Sequence, residues 1–223
     1  MSDLAGLLFA YALILSATAI ATALLRSGVF TPTLSRKFIH ISVSHWWLLA
    51  MQFHTRALYA AIGPVTFIVF NWIAYRRNLP AAIQDPEYRR NLGTVYFPIS
   101  LLILVLLCYR GPIPLYVGGI GVLVMGYGDG LASVVGSGCG RIRFTLFGGE
   151  KSFCGSMTMF LASAIVVTLF MLRFQPALSA ATLVIAVTAT AAVATLIESI
   201  TPLGLDNITL PIGTTVFFYR VFA

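Results

Sequence analysis

Charged residues make up only 9% of the 223-residue chain, against 59% hydrophobic ones. That shortage excludes a soluble globular domain and a self-repelling disordered tail. Cysteine is almost as scarce: Cys108, Cys139 and Cys154 are odd in number and form no CxxC pair. Neither a zinc site nor a disulfide framework is expected from them, and they read as reduced small residues. The GxxxxGKS/T spacing of a Walker A loop is missing, and no internal repeat or low-complexity segment stands out.

What the chain does have is apolar length, with a mean hydropathy of +0.93. Runs bounded by charge or by Pro and Gly fall at about 4–25, 37–53, 57–75, 92–109, 113–137, 153–172, 178–200 and 206–222. At roughly 20 residues per span, eight spans leave little beyond short loops. The expectation is an all-α, polytopic transmembrane bundle of about eight spans in a single domain covering 1–223, with any chemistry on span ends. The first run carries Asp3 and no leading cation, so it reads as a retained span and not as a secretory signal.

Fourteen Lys and Arg oppose seven Asp and Glu, a net charge of +7. In a membrane chain such an excess sets orientation and does not imply a nucleic-acid partner. With the N-terminus outside, Arg26, Arg36, Lys37, Arg76, Arg77, Arg89, Arg90, Arg141, Arg143 and Lys151 face the cytoplasm, and only Arg56, Arg110, Arg173 and Arg220 lie outside. The positive-inside rule favours that arrangement, and with it a plasma or inner membrane location in a prokaryote.

Carboxylates are costly in hydrocarbon, about 2.5–3.5 kcal/mol at a span centre even on insertion scales. Asp3, Asp85 and Glu87 fall in terminal or loop sequence, but Asp129, Glu150, Glu198 and Asp206 all lie in or near the cytoplasmic half. Asp129 sits about 10 Å inside a span at 1.5 Å per residue. On a regular helix Gly126, Asp129, Ser133 and Gly136 share its face, and Gly126 with Gly130 fits a close helix contact. The following loop brings Arg141, Arg143 and Lys151 together among glycines. Lys151, Ser152, Gly155 and Ser156 are expected in the first turns of the next helix, where free N–H groups favour an anion. Arg36, Lys37 and His40 stand at one level at the start of the second span, whereas His45 and His54 lack ligand spacing and read as packing residues. Glu198 and Asp206 flank a short turn beside Asn207, a hard-donor set that suits Mg²⁺.

Read in order, these patches resemble the motifs of the polyprenol kinase family, which includes phytol, farnesol and dolichol kinases and CTP-dependent diacylglycerol kinases. Arg36-Lys37-Phe38-Ile39-His40 is similar to RKxxH, and Asp129 to Gly136 to DxxAxxxG. Lys151 to Ser156 is similar to KSxxGS, and Glu198 with Asp206, Asn207 and Pro211 to a closing E…DNxxxP. Cys154 stands where dolichol and diacylglycerol kinases tend to carry an acid, a departure that points to the phytol and farnesol branch.

The resemblance implies transfer of the γ-phosphate of a nucleoside triphosphate, typically CTP, to a prenyl alcohol such as phytol, geranylgeraniol or farnesol, with Mg²⁺. It implies catalytic roles for Asp129 and Lys151. Nucleotide contacts would come from Arg36, Lys37, His40, Ser133, Gly136, Arg141, Ser152, Gly155 and Ser156, and metal ligands from Asp129, Glu198, Asp206 and Asn207. Asp129 has a second reading, as the base that takes the alcohol proton. Two other functions use similar parts. A lipid-phosphate cytidylyltransferase would carry a C-terminal signature that is missing here, and an ion-coupled transporter would place polar groups on both sides of the midplane.

Overall fold

The computed structural model describes residues 2–77, 92–139, 142–146, 149–202 and 204–223. Arg89, Arg90 and Arg141, with Asp85 and Glu87, lie outside the described residues. The chain is an all-α polytopic membrane protein with one small hairpin. Its elements are α1 (Asp3–Arg26), α2 (Pro32–Ser44), α3 (Trp46–Phe53), α4 (Ala57–Arg76), α5 (Gly93–Tyr109), α6 (Leu115–Leu123), a π turn (Val124–Asp129) and α7 (Gly130–Cys139). After them come β1 (Arg143–Leu146), β2 (Gly149–Ser152), α8 (Phe153–Phe174), α9 (Ala180–Ile200) and α10 (Asp206–Phe222). Among the described residues five helices are long and apolar enough to cross a membrane: α1, α4, the continuous Leu115–Cys139 helix, α8 and α9.

The Leu115–Cys139 helix is the axis of the bundle. Of its most apolar stretch 78% is buried inside the protein, against 22–44% for the other four. Around it pack α8, α10 and the α2–α3 pair, with α1 on α2 and α3, and α4 on α5. The core is continuous from Trp46 and Trp47 through Leu104, Ile120, Met125 and Met159 to Leu210 and Phe218.

Lipid offers no hydrogen bonds, so each interruption of a helix must be satisfied internally. Pro98 removes the N–H that would reach the Thr94 carbonyl, and the Asn71 amide of α4 donates to that oxygen instead, at 2.7 Å. Thr31, Ser152 and Ser179 cap the starts of α2, α8 and α9.

Three expectations need correction. The second span starts at Pro32, not 37, because Thr31 caps it and Pro32 is preset for a first turn, and it breaks at His45 into α2 and α3. Lys151 lies in β2, not in a helical turn, since Ser152 is the cap from which α8 begins. Cys139 and Cys154 are joined as a disulfide with Cα atoms 6.5 Å apart, and only Cys108 is free. The loop between α7 and α8 folds back as the β1–β2 hairpin, which brings the two sulfurs together where linear spacing gives no hint of it.

Candidate active site

Four separated segments converge where α7, α8, α9 and α10 meet α2. Lys37 on α2 reaches across to Asp129, the last residue of the π turn, with Nζ 2.7 Å from Oδ2. Asp129 is 6% exposed, so the partner demanded by its depth is this ammonium. His40, one turn further along α2, holds Nε2 3.8 Å from the same oxygen and 2.9 Å from the Met125 sulfur. Arg36 lies within electrostatic reach of His40.

The second pair joins the hairpin to α9. Lys151 donates to Glu198, which is 5% exposed. Burial works against the Lys151 charge, but Glu198, with Asp206 and Asp129 behind it, more than reverses that and holds the ammonium above its ordinary pKa. Asp206 lies within electrostatic reach of both lysines and both paired carboxylates. Its Oδ1 accepts the Asn207 backbone N–H at 2.9 Å and the Asn207 amide at 2.8 Å, and that amide also donates to the Gly204 carbonyl at 3.0 Å. Pro211, inside α10, has no N–H to donate back to the Asn207 carbonyl.

The small residues of the two middle motifs serve packing. A Cβ on Gly136 would lie 2.7 Å from the Ser152 hydroxyl oxygen and 3.2 Å from the Gly155 Cα, and one on Gly155 would lie 3.1 Å from the Ala132 carbonyl oxygen. These residues let α7 and α8 touch backbone to backbone. Ser152 is occupied twice, accepting the Gly155 N–H at 3.1 Å and donating to the Gly136 carbonyl at 3.3 Å. The Ser156 hydroxyl is buried with no hydrogen-bond partner, and Ser133 is half-buried on α7.

The single small-residue face expected around Asp129 is divided by the π turn. Gly126 and Gly130 abut Ser44 and Ile41 of α2, while Gly136 turns to α8. Glu150 is exposed and pairs with Arg143 across the hairpin at 3.2 Å, a surface pair of little energetic weight.

Several partners on this face gave no sequence signal: Met125 beside His40, Ser44 beneath Gly126, and His45, whose Nε2 meets the Tyr127 hydroxyl at 2.9 Å. For Tyr127 the one available cue was its place two residues before Asp129.

The chain is 34% identical over 180 residues to a phytol kinase of Synechocystis sp., covering 81% of this chain and 76% of that one. It belongs to the polyprenol kinase family. A probable chloroplastic phytol kinase 2 of Glycine max is 27% identical over 86% of this chain and 66% of its own length. The dolichol kinase of Homo sapiens is 28% identical over 63% of this chain but only 30% of that longer protein. No protein-family model matches the chain, and no solved structure matches it.

As a polyprenol kinase relative, the protein needs cations for phosphate oxygens and a carboxylate near the acceptor hydroxyl. Lys37 and Lys151 both lie within electrostatic reach of Asp129. Among the described residues no three His, Cys, Asp or Glu side chains gather into a ready metal cage. That arrangement still fits Mg²⁺, which usually takes one or two carboxylates and completes its shell with phosphates and water. Glu198, Asp206 and the Asn207 amide are all hard oxygen donors, as that ion requires.

Proposed function

We propose that this chain is a membrane-embedded prenyl-alcohol kinase that passes the γ-phosphoryl group of a nucleoside triphosphate, CTP before ATP, to the hydroxyl of phytol, geranylgeraniol or farnesol at the cytoplasmic face. The observation that carries the reading is the pair of lysines bonded to buried carboxylates, Lys37 to Asp129 and Lys151 to Glu198, drawn from four segments onto one end of the bundle. Buried ion pairs contribute little net stability against well-packed apolar residues, so two of them together call for a function.

The resting site is close to charge-balanced, and that suggests an exchange. Triphosphate oxygens compete for Lys37 and Lys151, and each lysine that moves to phosphate frees a carboxylate. Asp129, so released, accepts the proton of the incoming hydroxyl, and the lysines stay to neutralise charge on the transferring group. Glu198, Asp206 and Asn207 would hold Mg²⁺, which when bound offsets charge on the phosphate oxygens. Arg36 extends the cationic rim, and by the family resemblance His40 and Arg141 would add further nucleotide contacts. Ser156, with its unpartnered hydroxyl, is the serine of the KSxxGS turn best placed to donate to phosphate, since Ser152 is already engaged. The alcohol's tail needs no pocket domain, because it lies among the spans while its hydroxyl meets the nucleotide.

The test is where the label goes. Purified protein should transfer label from γ-labelled CTP, or from γ-labelled ATP, to phytol, geranylgeraniol or farnesol, while α-label stays in the water phase. Entry of α-label into lipid with a phosphatidate substrate would replace the kinase by a cytidylyltransferase.

A further inference from the structure

Asp129 owes its position to the turn that it ends. Val124–Asp129 is a π turn between two α-helical stretches of one span. Such a turn takes in an extra residue, and the helix beyond it is rotated by about 100° relative to an uninterrupted α-helix. π turns are rare and need neighbours to hold them. Here Gly126 lies so close to α2 that a Cβ would stand 2.3 Å from the Ser44 hydroxyl oxygen, and the Met125 sulfur lies 2.9 Å from His40 Nε2. The remaining contact is directional: the Tyr127 hydroxyl lies 2.9 Å from His45 Nε2.

The proton positions on that contact are set from its far side. His45 Nδ1 is 2.9 Å from the Ile41 carbonyl oxygen, which only accepts, so Nδ1 carries the hydrogen. In the neutral ring Nε2 is then bare and accepts the Tyr127 O–H. His45 is also the residue at which α2 stops and α3 starts. One hydrogen bond therefore ties the break in one span to the π turn in another, two residues before Asp129.

We propose that His45 and Tyr127 form a positioning pair for phosphoryl transfer: their hydrogen bond sets the rotation of the π turn and so keeps the Asp129 carboxylate aimed at Lys37 and the acceptor hydroxyl. This inference rests on the kinase reading. Neither side chain takes part in the Lys37–Asp129 bond, so both act through Asp129.

The test separates aim from binding. Tyr127→Phe removes one oxygen, and kcat for prenyl-alcohol phosphorylation should fall about five- to ten-fold with KM for nucleotide and alcohol within about twofold of wild type. His45→Ala should match it, and His45→Gln, whose amide oxygen still accepts, should recover most of the loss. The double variant should be no worse than either single one.

A readout without activity comes from ¹⁵N spectra of the chain's three histidines. His40 sits beside both Met125 and Asp129 and reports the turn, so its resonance should move in Tyr127→Phe along with that of His45, while His54 stays in place. Wild-type kcat in Tyr127→Phe, or an unmoved His40 resonance, would overturn the positioning role. So would equal losses in kcat, KM and thermal stability, which would mark a merely structural pair. Wild-type protein that phosphorylates no prenyl alcohol would instead bring down the kinase reading itself.

Discussion

At the end of the bundle where α1 starts, Asp3 accepts the Thr55 backbone N–H at 2.9 Å and stands 3.7 Å from Nδ1 of the buried His54. At the opposite end Asp129 and Glu198 are buried against Lys37 and Lys151. Both ends therefore set an acid beside a base, but the surroundings differ. Asp3 ties the first turn of α1 to the loop after α3, and Phe9 of α1 packs on Phe53 of α3 with ring centroids 5.2 Å apart. That is a staple between neighbouring elements. The other end gathers two lysines, three carboxylates and an amide from α2, the π turn, the hairpin, α9 and α10. Stapling alone would not require so many charges in so apolar a chain, and the proposed function gives the surplus a use.

Substitutions can break that contrast, and the largest effect is expected at Asp129. Asp129→Asn keeps the volume and should lower phosphotransfer by about a hundredfold or more, because neither a base nor a charged ligand remains. Asp3→Asn should leave the rate as it is. Equal losses of activity at the two ends would erase the distinction.

Lys151 sharpens it. Lys151→Ala should cost about tenfold or more in activity through a lost charge-assisted bond to phosphate. It should also lower stability by about 3 kcal/mol, because Glu198 is left buried and unpaired. Adding Glu198→Gln should restore the unfolding temperature and leave the activity low. Recovery of both together would make the pair a structural element like that of Asp3.

The disulfide gives a test of sidedness. A cytoplasmic reductant opens such a bond, so with the site on the cytoplasmic side the Cys139–Cys154 bond seen in the structure should be found in growing cells as two thiols open to alkylation, and should close only in oxidising surroundings. Their protection would place this end outside. In an oxidising buffer, closing the 15-residue separation should raise the unfolding free energy by about 3 kcal/mol. The smallest effect is expected from Asp3→Asn, a fall of a few degrees in unfolding temperature with kcat and KM unchanged.

Much of the fold was legible because hydropathy acts on whole runs: the runs at 57–75, 153–172 and 206–222 come within two residues of α4, α8 and α10. Features set by neighbours were not legible. The start at Pro32 had a local sign in Thr31-Pro32, hidden behind the cations of the next turn. The π turn had none, since it depends on Ser44, His40 and His45 of another span. Of the motif residues, Lys37 pairs with Asp129 and Lys151 with Glu198. Their partners were hidden, because Lys37 and Asp129 stand 92 residues apart in the chain. Gly136 and Gly155 also bring α7 and α8 into contact, a packing role that only the structure reveals.

The most direct test of the account is to find where a nucleotide sits. A photoreactive nucleoside triphosphate, bound with Mg²⁺ in the dark and then activated, should label peptides spanning 36–45, 129–139, 149–156 and 198–207, with excess CTP or ATP competing. Labelling of peptides around Asp3 and His54, or labelling that unmodified nucleotide does not reduce, would contradict the placement of the site.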